Sequence, residues 1–163
     1  MEIHIESQAK ENDYFRQGKE FLAAAWRCFS NEDGSIVTNQ GFYQLSAPCV
    51  VNAAFSCEMF LKALLKKMDI PYNQKTEGHN IYMLYKKLPS DVQNTIAKRC
   101  GNKDNPTVFE SILKRHNRDF VDIRYFIENQ GWTEMSPMEM ITIAQNLSVT
   151  TEYLLTTLEI GEK

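Results

Sequence analysis

The chain is poor in the residues from which small catalytic and metal centres are usually built. Only three histidines, His4, His79 and His116, occur in 163 residues, too few and too scattered for a multi-histidine metal centre. Four cysteines, Cys28, Cys49, Cys57 and Cys100, form no CxxC pair, and no histidine stands at zinc-finger spacing from them. They read as free, mostly buried thiols of a cytoplasmic protein. Seven glycines are spread out and none forms GxGxxG, so the chain has no legible phosphate-cradling loop, and it has no Ser-His-Asp order. No apolar run reaches the roughly 20 residues of a membrane span. The polar, acidic start MEIHIESQAKEN is neither a signal nor a transit peptide. An excess of one charge sign is missing too. The net charge is −3, which supplies no global positive field for nucleic acid and leaves only local basic patches. The expectation is a protein without metal, cofactor or membrane partner.

What is present is helical patterning. Hydrophobic residues make up 43% and charged residues 24% of the chain, which suits one domain over residues 1–163 with one core. Phe15, Leu22, Trp26 and Phe29 recur at helical spacing and predict a helix over about 11–30. The next stretch, SNEDGSIVTNQGFYQLSAP, is rich in turn residues and reads as a long loop, with a short hairpin around Ser35–Tyr43 as the alternative. Pro48 opens a second helix to about Met68 that is apolar nearly all round, the mark of a buried central helix. HNIYMLYKKLP predicts a short helix, and Ser90 with Gln93 a capping box for another, ending near Cys100. Pro106 starts a long helix to about Gln130, and Ser136, Pro137 and Glu139 a last one to about Glu159. The fold class is all-α: five or six helices around the second.

One carboxylate interrupts the apolar second helix, in AFSCEMFLKALL. Glu58 lies about 60° from the centre of the apolar face at 100° per residue, hence near the inward side. A buried carboxylate must be paired or protonated. Lys62, one turn on, is one partner. Arg124 is the other: it falls on the stripe of Phe109, Ile112, Leu113, Phe120, Ile123 and Ile127, together with His116. Its planar fork suits a carboxylate, and Glu128 is its rival partner. The sequence reading takes Glu58–Arg124 as a cross-helix pair. That pair can also do no more than pin two helices together.

FSCEMFLKALLKK, GHNIYMLYKKLP and FVDIRYFIE resemble the HEPN domain superfamily over about residues 45–130. The resemblance implies a small all-α bundle that usually dimerises. Many members are metal-independent RNases of toxin–antitoxin, CRISPR and phage-defence systems. Others bind RNA or nucleotides, or act as non-catalytic partners. Catalytic members carry an Arg followed four to six residues later by a His, with a carboxylate on an earlier helix orienting the Arg. Arg124 matches the Arg and Glu58 the acid. The His does not match: Asn129, Gln130 and Gly131 stand in its place. Asn129 hydrogen-bonds but exchanges no proton, and general acid–base catalysis is worth about 10²–10⁴-fold. His116 precedes Arg124 by eight residues, about 12 Å along a helix. It could substitute only from a partner subunit, and the simpler reading is a core-facing ring with satisfied hydrogen bonds.

His79, after a glycine at the start of a helix, reads either as a phosphate contact or as a helix-start residue bonded to nearby backbone. Lys114, Arg115 and Arg118, with Lys98, Arg99 and Lys103, form the best basic patch for RNA or nucleotide, although Asp119 and Asp122 dilute it. Tyr82, Tyr85 and Tyr125 could stack on bases but more simply pack. Methionines on the last helix suggest a dimer or partner surface. These features point to a cytoplasmic HEPN-like homodimer in defence or toxin–antitoxin biology, binding RNA or nucleotide or surviving as a degenerate metal-independent RNase. An antitoxin or another protein is a further expected partner. The alternative is a non-catalytic interaction protein whose Glu58–Arg124 pair is structural.

Overall fold

A computed structural model describes residues 9–29, 35–38, 41–101, 106–123 and 136–160. The order is α1 (Glu11–Phe29), β1 (Ser35–Thr38), β2 (Gly41–Gln44), α2 (Ser46–Lys67), α3 (Ile81–Lys87), α4 (Ser90–Cys100), α5 (Pro106–Arg115), α6 (Asp119–Asp122) and α7 (Pro137–Ile160). The fold is an all-α bundle around a buried central helix, as the periodicity predicts. The long loop expected after α1 contains instead the alternative hairpin. β1 and β2 pair antiparallel, Ser35 with Gln44 and Thr38 with Gly41. The β-branched Ile36 and Val37 and the aromatic Phe42 and Tyr43 favour that pairing over irregular backbone.

Helix α2 is the axis of the bundle. Every residue from Ser56 to Leu65 is buried, so this stretch faces protein on all sides. It packs on α1, α7, α3 and α6. The sequence expectation on membrane length needs correction here: α2 is long and apolar enough to cross a bilayer by composition, but 78% of its apolar window is buried within the protein. Its burial gives it the character of a core helix. Asp69 ends it in the left-handed region (φ 54°). The Ile70 and Asp69 amides then return to the Leu65 and Lys66 carbonyls at 2.8 and 3.1 Å, which satisfies the last turn and turns the chain towards the 71–80 loop.

α1 lies against α2 through a glycine. The Gly18 carbonyl accepts from the buried Ser56 hydroxyl at 2.8 Å. The Phe60 ring sits so close that a Cβ on Gly18 would come within 2.6 Å of its edge. Phe15 meets the same ring at 5.6 Å between centroids. Trp26 bridges to α7 by donating to Gln145 at 3.2 Å.

Two expected helix signals take another form. Ser90 makes no cap, since Pro89 is the cap residue of α4. The Gln93 amide instead donates to the Lys86 and Leu88 carbonyls, at 3.2 and 2.6 Å. It thus serves the open C-terminal end of α3 rather than the start of its own helix. The long helix expected from Pro106 stops at Arg115, and a turn over 116–118 leads into the single turn α6. At that turn the Asn117 carbonyl accepts the Ile81 amide of α3 at 3.1 Å. The break gives α3 a partner for one of its orphan amides.

The tight seam at Gly18 gives a stability test. Gly18→Ala is expected to cost about 1–3 kcal/mol by overpacking against the enclosed Phe60 ring, read as a fall in the urea midpoint. An unchanged midpoint would show that the seam has slack.

Candidate functional site

Glu58 is fully buried, and among the described residues Lys62 and His79 meet it. Lys62 Nζ donates to Oε1 at 2.6 Å, with side-chain exposures of 4% for Lys62 and 1% for Glu58. His79 Nδ1 meets Oε2 at 3.1 Å. Of the two partners read from the sequence, the structure therefore shows Lys62. Arg124 lies outside the described residues, as do Asn129, Gln130, Gly131, Glu128 and Tyr125. Lys62 is itself well solvated by protein. It donates to Gln74 Oε1 at 3.2 Å and lies over the Tyr72 ring, 5.3 Å from its centroid. A buried ammonium needs such donors' partners to stay charged.

His79 is not a helix-start residue. α3 begins at Ile81 with Asn80 as its cap, whose Oδ1 accepts from Met83 N at 3.0 Å. The Ile81 and Leu84 amides go to the carbonyls of Asn117 and Asn80. The expectation of an anion held by this helix end is thus replaced: those amides are engaged, and His79 lies before the helix. The loop ahead of it is shaped by Asn73, whose Oδ1 accepts the amides of Lys75 and Thr76 at 2.9 and 3.2 Å. This is an Asx turn. Glu77 ties the loop down by accepting from Asn73 N at 2.7 Å and pairing with Lys87 at 3.1 Å. Those bonds, the Asn73 amide first, lower the Glu77 carboxyl below its usual value. Gly78 is required because a Cβ there would lie 2.5 Å from the Gln74 carbonyl oxygen.

His79 opens onto a cleft of about 320 Å³, lined by Lys75, Thr76, His79, Asn80, Arg118 and Val121. Arg118 reaches it from the turn between α5 and α6, with a side chain 57% exposed and a loose pair to Asp122 at 3.7 Å. The cleft thus carries two fixed cations and an imidazole backed by a buried carboxylate. A larger hollow of about 630 Å³, lined by Tyr14, Leu65, Lys66, Asp69, Ile70, Pro71 and Tyr72, offers one charge of each sign and no histidine.

His116 and the rest of the basic patch are occupied elsewhere. His116 is 3% exposed and both ring nitrogens meet carboxylates, Nδ1 with Asp119 and Nε2 with Glu139 at 2.7 Å. Burial by itself would lower its proton affinity, but the bonds and charges of Asp119 and Glu139 outweigh burial and raise its pKa above 6.5. The ring is a buried bolt between the α5–α6 turn and α7, with a carboxylate at each nitrogen, and it is no candidate base within this subunit. Glu139 therefore spends its side chain on His116 and on Arg115, at 3.2 Å, rather than in a capping box. Lys114 lies over the Tyr82 ring. Arg99 stacks on Tyr153 beside a separate α4–α7 groove, and Lys103 lies outside the described residues. Of the described residues of the patch, Arg118 lines the His79 cleft. Tyr85 is core: it donates to the Gln93 carbonyl, abuts Phe109, and burial pushes its phenol up to about 12.

The thiols are unreactive in character. Burial raises Cys49 and Cys100 to about 11 and Cys57 further still. Among the described residues no group of three or more His, Cys, Asp or Glu is placed to hold a metal ion. Compared with known protein families, with curated proteins and with solved structures, the chain matches none of them.

The sequence reading missed the Glu58–His79 contact. The signal was there in part: an acid on a buried helix needs polar neighbours, and a Gly-His pair in a polar loop can reach back to it.

The bolt predicts a pH dependence of defined sign. A pKa raised on folding contributes stability that is complete below the unfolded value of 6.5 and is lost as pH rises through the raised folded value. The stability gap between wild type and His116→Gln, from urea unfolding, should be wider at about pH 6 than at about pH 9. A gap that widens towards alkaline pH would contradict the upward shift.

Proposed function

We propose that this chain is a HEPN-like helical protein that binds RNA or a nucleotide by its phosphates at the His79 cleft. The observation that carries this reading is the convergence of Arg118, Lys75 and His79 on one cleft, with the buried Glu58 behind the imidazole. Guanidinium and ammonium groups bind phosphate oxygens by charge-assisted hydrogen bonds. A carboxylate on one ring nitrogen orients the imidazole and supports its role in proton transfer. The site therefore has the parts for attack of a ribose 2′-hydroxyl on its own phosphate without a metal. In that step the hydroxyl proton passes to His79, the 2′-oxygen–phosphorus bond forms and the bond to the 5′-oxygen breaks, that oxygen taking a proton from water. On this reading His79 takes the place that the family motif gives to a histidine after the Arg, and His116 has no part in proton transfer. A homodimer is the proposed assembly, with the exposed Met138, Val149 and Tyr153 of α7 as the offered face.

A second reading is favoured by the enclosure of Glu58 and Lys62 within one helix: a non-catalytic interaction protein in which the pair only holds the core. Binding of a single-stranded RNA oligonucleotide in EDTA at low salt separates the two. The wild type is expected to retain the RNA, and Arg118→Ala to weaken it about tenfold or more, as for a lost hydrogen bond to a charged group, with a shallower salt dependence. EDTA-resistant cleavage should be lost in His79→Ala and kept in His116→Gln. No retention by the wild type, or equal affinity in Arg118→Ala, would remove the RNA reading and leave the interaction protein.

A further inference from the structure

We infer that the hollow of about 630 Å³ between α1 and the end of α2 is a second ligand site, which takes a small zwitterion: a free α-amino acid with an apolar side chain. Its lining shares no residue with that of the His79 cleft, and the inference does not rest on the RNA reading.

Two opposite charges carry the argument. Lys66 and Asp69 line the same hollow. Both are exposed, and among the described residues they form no ion pair with each other or with a third group. Their backbones are one turn apart, since the Asp69 amide donates to the Lys66 carbonyl at 3.1 Å. A molecule of amino-acid size can therefore meet both, its carboxylate on the Lys66 ammonium and its ammonium on the Asp69 carboxylate. Hydrogen bonds between ions are the stronger kind. A ligand with one charge alone leaves one of the two residues unmatched, and a phosphate drawn by Lys66 would be opposed by Asp69. Asp69 also stands in the left-handed region, at φ 54°. Glycine holds that conformation at the least cost, so the turn itself does not call for a carboxylate there.

The rest of the lining suits the body of such a ligand. Leu65 is fully buried, and Ile70 packs partly buried against the core. With Pro71 they give the hollow an apolar side that an aliphatic side chain covers. Tyr14 closes it from α1 and Tyr72 from the 71–80 loop. Burial first, and then the Tyr14 phenol beside it, raise the Tyr72 hydroxyl well above its ordinary value. Tyr72 thus adds no third charge and offers a neutral donor and acceptor. Its ring is held in turn by the Lys62 ammonium, 5.3 Å from the centroid. An apolar wall with a few convergent polar groups, in a volume of this size, is the ordinary build of a small-molecule site.

The test is an NMR titration of the ¹⁵N-labelled full chain with L-leucine, beside isocaproate, which lacks the ammonium, and isoamylamine, which lacks the carboxylate. L-leucine is expected to shift the Asp69, Ile70 and Tyr72 amides saturably. Each singly charged analogue should bind about tenfold or more weakly, as for a lost hydrogen bond to a charged group. Asp69→Asn, a residue that tolerates the left-handed backbone, should bring leucine down to the affinity of isocaproate. Lys66→Gln should bring it down to that of isoamylamine. No saturable shift at this corner, or shifts confined to the His79 cleft, would overturn the site. Equal affinity for the three probes, or leucine binding unchanged in both variants, would overturn the zwitterion.

Discussion

A single negative charge inside the central helix sets the problem that the surrounding structure solves. Glu58 has no access to water, and its burial would cost several kcal/mol if left uncompensated. Lys62 balances it from within the same helix, so the pair travels with α2. That arrangement leaves the second carboxylate oxygen available to a residue from outside the helix. The 71–80 loop brings His79 to it, and Asn73, Glu77 and Gly78 each contribute to the loop shape that makes the approach.

The interrupted helix between α5 and α6 is the other half of the arrangement. A continuous helix would carry Arg118 on past the loop as part of a solvated basic face. The turn at 116–118 instead gives the Asn117 carbonyl to α3 and places Arg118 on the cleft. The buried His116 ring fastens this turn to α7 through Asp119 and Glu139. One of the two described histidines therefore stabilises the frame and the other faces the ligand space, and the difference follows from their neighbours. His116 has a carboxylate on each nitrogen, whereas the carboxylate that meets His79 Nδ1 is also held by Lys62.

Much of this was legible in the sequence. The apolar run of α2 and the Pro and Gly punctuation gave α1, α2, α4 and α7 close to their observed bounds, and the start of α5 but not its end. Glu58 stood out because a charge in an apolar run demands a partner, and Lys62 followed from helical spacing alone. The His79 contact was not legible, because it depends on how a polar loop folds back, and Asx turns leave no periodic signal. The hairpin was only an alternative since four-residue strands carry too little pattern. The break after Arg115 was hidden because the apolar stripe continues through it, and the bond made at the turn, from Ile81 to Asn117, is long-range. Gln93 misled for a similar reason: its spacing from Ser90 fits a cap, yet nearer unsatisfied carbonyls of α3 take its amide.

The central claim is that Glu58 and Lys62 form one buried neutral unit, and a double-mutant cycle of unfolding free energies tests it most directly. Glu58→Gln and Lys62→Met are each expected to cost about 3–5 kcal/mol by stranding the other charge. The double variant should cost less than the sum of the two, giving a coupling of about 1–3 kcal/mol. Additive costs would contradict the account, since Glu58 would then draw its counter-charge from elsewhere.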